Sequence, residues 1–166
     1  MDAPVTLVPH NPRWPALFEA ERLRLETLLA PWLCGPIEHI GSTAVPGLAA
    51  KPVIDIMAPV LSLEASRPAI ATLTASDYVY APYKPELMHW FCKPSPALRT
   101  HHLHLVPEGS ALWQERIAFR NALRRSPTLA AEYGQLKHRL AAEFRDDREG
   151  YTEAKTPFVR RVLQIS

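Results

Sequence analysis

The chain has almost no excess charge and only two cysteines. Lys and Arg number 19 against 17 Asp and Glu, a formal net charge of +2. So small an imbalance gives no electrostatic footprint for holding nucleic acid, and nucleic acid is not an expected partner. Cys34 and Cys92 lie far apart with none of the spacing of a metal-binding pair. They read as free thiols of a reducing compartment. No apolar run approaches the length that spans a bilayer, and the N-terminus lacks a basic-then-apolar leader pattern. Both point away from membranes and to a cytoplasmic protein. Internal repeats and low-complexity segments are also missing. What remains is an ordinary globular composition, 47% apolar and 22% charged, in 166 residues. That length fits one domain, 1–166, able to bury a core without disulfides or metal staples.

Periodicity divides this domain into a sheet part, about 1–106, and a helical tail, about 107–166. Val5 to Val8 reads as a short strand. Asn11-Pro12 reads as an N-cap with Pro at the first helical position, opening a helix to Leu29. Ile37 to Ile40 and Val53 to Met57 read as strands, and Ser62 as the cap of a helix from Leu63 to Thr74. Tyr78 to Tyr83, Met88 to Cys92 and His102 to Val106 read as further strands. Helices are expected over Ala111 to Arg125, Pro127 to Phe144 and Thr152 to Leu163. The predicted class is α+β, a mixed sheet of about five strands with packed helices and a helical C-terminal segment.

The stretch Glu38-His39-Ile40-Gly41-Ser42-Thr43, followed by Lys51-Pro52-Val53-Ile54-Asp55-Ile56-Met57, carries the chemistry. Gly41 lets a backbone come close to a ligand, and Ser42 and Thr43 add N–H and hydroxyl donors. Asp55 stands alone in an apolar strand, where an unpaired charge is costly. It reads as a metal-holding, catalytic carboxylate or as a buried acid satisfied by backbone or Lys51. Lys51 reads as a phosphate-binding ammonium or as a loop lysine. His102 and His104, two apart on a strand, share a face and suit a transition ion. The alternative is that they bond phosphate or a backbone carbonyl. His101 should point away, to the surface. His39 reads as a satisfied core histidine. Glu38 is a distant candidate for a further carboxylate. The four tryptophans, Trp14, Trp32, Trp90 and Trp113, read as core or cleft-wall residues.

The run from Glu38 to Asp55 resembles the polymerase-beta-type nucleotidyltransferase signature, a Gly-Ser turn followed by acids on a strand. More closely it resembles the GrpB family, a branch of that superfamily. The resemblance extends through His102-Leu103-His104, Trp113 with Phe119-Arg120, Glu132-Tyr133 with Leu136-Lys137, and Tyr151 with Lys155, so it covers nearly the whole chain. It implies a nucleotidyltransferase-like fold and a nucleotide or related phosphate compound as partner. Gly41, Ser42, Thr43 and Lys51 would hold phosphate, and Arg120, Lys137 and Lys155 would reach back over the sheet to the ligand or else lie on solvated helix faces. Asp55 matches the first acid of the superfamily's pair, but the same-face position two residues on is Met57. A thioether is a poor ligand for magnesium, so with His102 and His104 nearby any metal on Asp55 should be Mn, Zn, Ni or Fe rather than Mg. Three functions are consistent with this: a nucleotidyltransferase, a non-catalytic nucleotide-binding module linked to coenzyme A metabolism, and a metal-dependent phosphohydrolase.

Overall fold

The computed structural model describes residues 4–165. Five strands, β1 (Glu38–Ile40), β2 (Ile54–Val60), β3 (Val79–Tyr80), β4 (His89–Pro94) and β5 (Arg99–Pro107), form one mixed sheet in the order β1-β2-β5-β4-β3. Only β2 and β5 are parallel; the other three pairings are antiparallel. The expected five-stranded α+β class is therefore found.

Strand alternation gives the sheet two different faces. Ile54, Ile56 and Ala58 on β2 and Leu103 and Leu105 on β5 point to one side. There they meet Trp14, Phe18, Leu25 and Leu29 of α1 (Trp14–Leu28) and its end, and Ala69 and Leu73 of α3 (Ala69–Thr74). The other face carries Ile40, Met57, Trp90, Cys92 and Val106. It is covered by Leu112, Trp113 and Ile117 of α4 (Ala111–Arg125). Helices α5 (Pro127–Glu143), α6 (Arg148–Ala154) and α7 (Thr156–Ile165) then fold back over the loop after β1. Val45 and Leu48 of that loop pack with Leu123, Tyr133, Phe158 and Val162. The helical tail thus forms one wall of a cleft whose floor is the sheet.

Several expected boundaries shift. The helix expected from Leu63 to Thr74 is two short helices, α2 (Leu63–Ser66) and α3, because Pro68 lacks the N–H that would continue the ladder. The last expected helix is likewise split into α6 and α7, and α6 begins earlier, where Asp147 caps it by accepting from Gly150 N at 2.9 Å. Asn11 does not cap α1. Its Oδ1 accepts from Arg13 N at 2.9 Å, a local turn, and the helix begins at Trp14. The expected strand over Val5 to Val8 is reduced to one bridge, Val8 with Ala50. Ser110 and Ser126 cap α4 and α5 as their positions before helical runs imply. Among the described residues no helix is long and apolar enough to cross a membrane.

Candidate functional site

The register of β2 against β5 builds the centre. Asp55 lies opposite His102 and Met57 opposite His104, all on one face. Asp55 Oδ1 accepts from His104 Nε2 at 2.9 Å and stands 3.4 Å from His102 Nδ1. Burial disfavours the charged carboxylate, but the bonds from His102 and His104 outweigh it and hold Asp55 well below the usual carboxylate range. The partner of Asp55 is thus the histidine pair, and not Lys51. The ring of His102 lies against Trp90 at 5.0 Å between centroids, and its Nε2 is buried with no partner among the described residues.

The turn before β2 is fitted to Asp55 by size. A Cβ placed on Gly41 would stand 2.6 Å from Asp55 Oδ2. Gly41 has φ 73° and ψ −173°, a combination that side chains disfavour, and it leads into a 3-10 turn over Ser42–Ala44. Behind the turn, Thr43 Oγ1 donates to Val53 O at 3.1 Å and bonds His39 Nε2 at 2.9 Å. Stacked on Phe18, His39 is pulled down to about 4, chiefly by burial. It is the satisfied core histidine expected, and it braces the turn.

Asp55, Gly41, Ser42, Thr43, His102 and His104 line one cleft of about 560 Å³. Ser42, Asp55 and the pair His102 and His104, which come from three different strands or strand ends, therefore converge. The cleft's other wall is cationic. Lys51, Lys137 and Lys155 line it, and among the described residues none has a carboxylate partner. Tyr151 lies beside two of them, with Lys51 Nζ 5.2 Å and Lys155 Nζ 4.6 Å from its ring centroid. Lys137 is 2% exposed, donates to Ala49 O and stands 5.1 Å from the Tyr133 ring. Burial pulls Lys155 down to about 8, and burial with repulsion from neighbouring cations pulls Lys51 to about 8 and Lys137 to about 6, although Asp55 works the other way on Lys51 and Lys155. Burial raises Tyr133, which also bonds the Ser42 side chain. Arg99, Arg116 and Arg148 complete the wall.

Some expected site residues lie elsewhere. Arg120 does not line this cleft. It donates to Glu38 Oε2 at 2.6 Å and to His39 O at 3.1 Å, fastening α4 to β1. Glu38 is held in that pair and supplies no second carboxylate. Arg120→Ala should cost about 1.5–3 kcal/mol, the worth of a charge-assisted bond, measured by urea unfolding. An unchanged midpoint would show the pair to be idle. Met57 is fully buried among Ile40, Met88, Trp90, Cys92 and Val106, so the second-acid position is part of the core. His101, expected at the surface, is half-buried on the opposite face beside Thr100.

Arg116 was missed by sequence reasoning. It sits one turn before Arg120 on α4, and that i, i+4 spacing was the only available signal. Its Nη1 stands 2.8 Å from His104 Nδ1. As a metal set, one donor atom from each of Asp55, His102 and His104 lies within 4.8 Å of the others. The orphaned Nε2 of His102 and the carboxylate fit a transition ion. His104, with a guanidinium on its outer nitrogen, fits less simply.

The family model described as GrpB protein matches residues 4–165. A UPF0157 protein of Deinococcus radiodurans is 38% identical over 94% of this chain and 79% of its own length. A dephospho-CoA kinase of Mycolicibacterium paratuberculosis is 31% identical over 95% of this chain, which spans 45% of that protein. The crystal structure of conserved protein GrpB from Enterococcus faecalis superposes with a TM-score of 0.86 at 31% identity, covering 96% of both chains. With a family match over nearly every residue and a solved relative of the same architecture, the chain belongs to the GrpB family.

Proposed function

We propose that the cleft binds a small phosphate compound, a nucleotide or a close relative of one, with its phosphates among Lys51, Lys137 and Lys155 beside the Gly41–Thr43 turn and its reacting end at Asp55. The observation that carries this reading is the lysine cluster. Three lysines crowded into one cleft, Lys137 buried and Lys51 and Lys155 half-buried, with Asp55 offsetting only part of the charge on Lys51 and Lys155, are unfavourable as ammonium groups in isolation. A polyanion is the ligand that relieves all three at once. Nucleotidyl transfer is the chemistry that the superfamily resemblance implies for Asp55. The Met57 position leaves too few oxygen donors for a two-metal clamp on magnesium, which favours ligand holding over that reaction. The dephospho-CoA kinase relative extends the ligand class to coenzyme A precursors, which carry nucleotide phosphates. A cytosolic setting, where nucleotides are abundant and the free thiols Cys34 and Cys92 persist, goes with this reading.

The test is a thermal-shift series with ATP, dephospho-coenzyme A and tripolyphosphate on the wild type, Lys51→Ala and Lys155→Ala. A ligand present at a hundred times its Kd adds about 2.7 kcal/mol to stability. At least one of the three should raise the wild-type Tm by several degrees, with the shift reduced in both variants and less sensitive to salt. No shift with any of them would reject the reading.

A second reading is favoured by the orphaned His102 Nε2: a transition ion, Mn, Zn, Ni or Fe before Mg, held by Asp55 and at least one of the two histidines. Such an ion would supply Lewis acidity to a phosphate oxygen. Phosphoester hydrolysis is then the alternative activity.

A further inference from the structure

The hydrogen bonds around His104 determine which of its nitrogens carries the proton. A guanidinium has only donors and cannot accept. Arg116 Nη1 lies 2.8 Å from Nδ1, so Nδ1 must offer its lone pair. An imidazolium would set two cationic N–H donors head to head across that 2.8 Å contact, which the geometry excludes. His104 is therefore neutral with its proton on Nε2, and that N–H is the one given to Asp55 Oδ1 at 2.9 Å. Metal ligation by Nε2 needs the opposite tautomer. A ligating histidine ordinarily donates its other N–H to a carboxylate, a carbonyl or water. Here that N–H would point at an arginine.

We propose that Arg116 keeps His104 out of the metal's ligand set, so that an ion in the cleft is held from this chain by Asp55 and His102 alone, leaving its remaining positions to phosphate oxygens. This rests on the second reading above, that a transition ion binds there at all. In the absence of Arg116 the change of tautomer has an acceptor waiting: Met88 Sδ lies 3.4 Å from Nδ1 and can take its hydrogen weakly. Arg116 is thus a positioning residue. It acts on the metal through the proton of His104.

Calorimetric titration of Zn(II) into the wild type, His102→Ala, His104→Ala, Arg116→Met and the double variant Arg116→Met/His104→Ala tests this. Each protein is first checked for native circular dichroism. His102→Ala should weaken Zn binding at least about tenfold, while His104→Ala should change it by less than about threefold. Arg116→Met should bind about 10–100-fold more tightly, the range over which outer-shell partners act. The double variant should lose that gain. A gain that survives in the double variant would mean simple relief of charge repulsion and would overturn the proposal. So would an Arg116→Met affinity equal to wild type. Zn binding to none of the proteins would instead reject the metal reading, and the role of Arg116 with it. Nitrogen-15 NMR gives a readout independent of affinity: the wild-type His104 proton should reside on Nε2, and a proton found on Nδ1 contradicts the proposal.

Discussion

Gly41→Ala is expected to lose stability and ligand binding together. Its backbone, at φ 73° and ψ −173°, lies in a region that only glycine visits readily, so any side chain costs about 1–3 kcal/mol there. The added methyl also meets Asp55, 2.6 Å from Oδ2 and 3.2 Å from Cγ. Asp55 has little room to retreat, because His104 holds Oδ1 and β2 lies between two strands. Together the strain and the overpacking should total about 2–5 kcal/mol. Urea unfolding measures the loss, and the thermal shift given by a phosphate ligand should vanish with it. An alanine variant as stable as wild type would show that the turn does not press on the carboxylate. A less stable variant with its ligand shift intact would show that the turn and Asp55 take no part in binding.

Lys137→Met should have the opposite effect on stability. In the ligand-free fold Lys137 is buried and pulled down to about 6, whereas in the unfolded chain it is an ordinary lysine near 10.5. Between those values the unfolded state binds more protons, so this residue makes stability rise with pH, by at most about 1.4 kcal/mol per unit. The penalty is fully present below about pH 6 and fades towards pH 10.5. Methionine keeps the packing and removes the ionisable group. It leaves Ala49 O without its donor, a cost of about 1 kcal/mol. The variant should still be more stable by about 1–3 kcal/mol near pH 6, as when buried charges are replaced by apolar groups. The advantage should shrink steadily up to pH 10 and be accompanied by weaker phosphate binding. A stability difference that does not vary with pH would remove Lys137 from the titrating cluster. Such a trade of stability for binding is the usual mark of a functional site.

The centre was legible in the sequence because its residues follow strand alternation. Asp55 and Met57 share a face, and so do His102 and His104, whatever the rest of the chain does. Pairing β2 with β5 in parallel register then brought the carboxylate and both imidazoles together, and that pairing was not legible, since no local pattern encodes strand order. Pro68 was visible in the sequence, and its break of the helix from Leu63 to Thr74 follows from the missing N–H. Arg116 and Arg120 show what residue type alone cannot decide. Both are arginines on one face of α4, yet one reaches the cleft and the other closes onto Glu38. Only the crossing of the helix over the sheet separates them. The lysines of the helical tail posed the same difficulty. Solvated faces were the bland expectation for Lys137 and Lys155, and it is the folding of α5 and α6 over the loop after β1 that buries Lys137 and half-buries Lys155.

The central claim is that Lys51, Lys137 and Lys155 form an anion site whose charges are completed by the ligand. Isothermal titration of ATP at pH 8 in two buffers of different ionisation enthalpy tests it most directly. At that pH Lys51 and Lys155 are near half-protonated and Lys137 is largely neutral. A bound polyphosphate favours the charged form of each, so binding should take up about one proton or more per ligand, read as a buffer-dependent enthalpy. The uptake should fall in Lys51→Ala/Lys155→Ala. Binding with no proton uptake in the wild type, or no binding of any phosphate compound, would contradict the account.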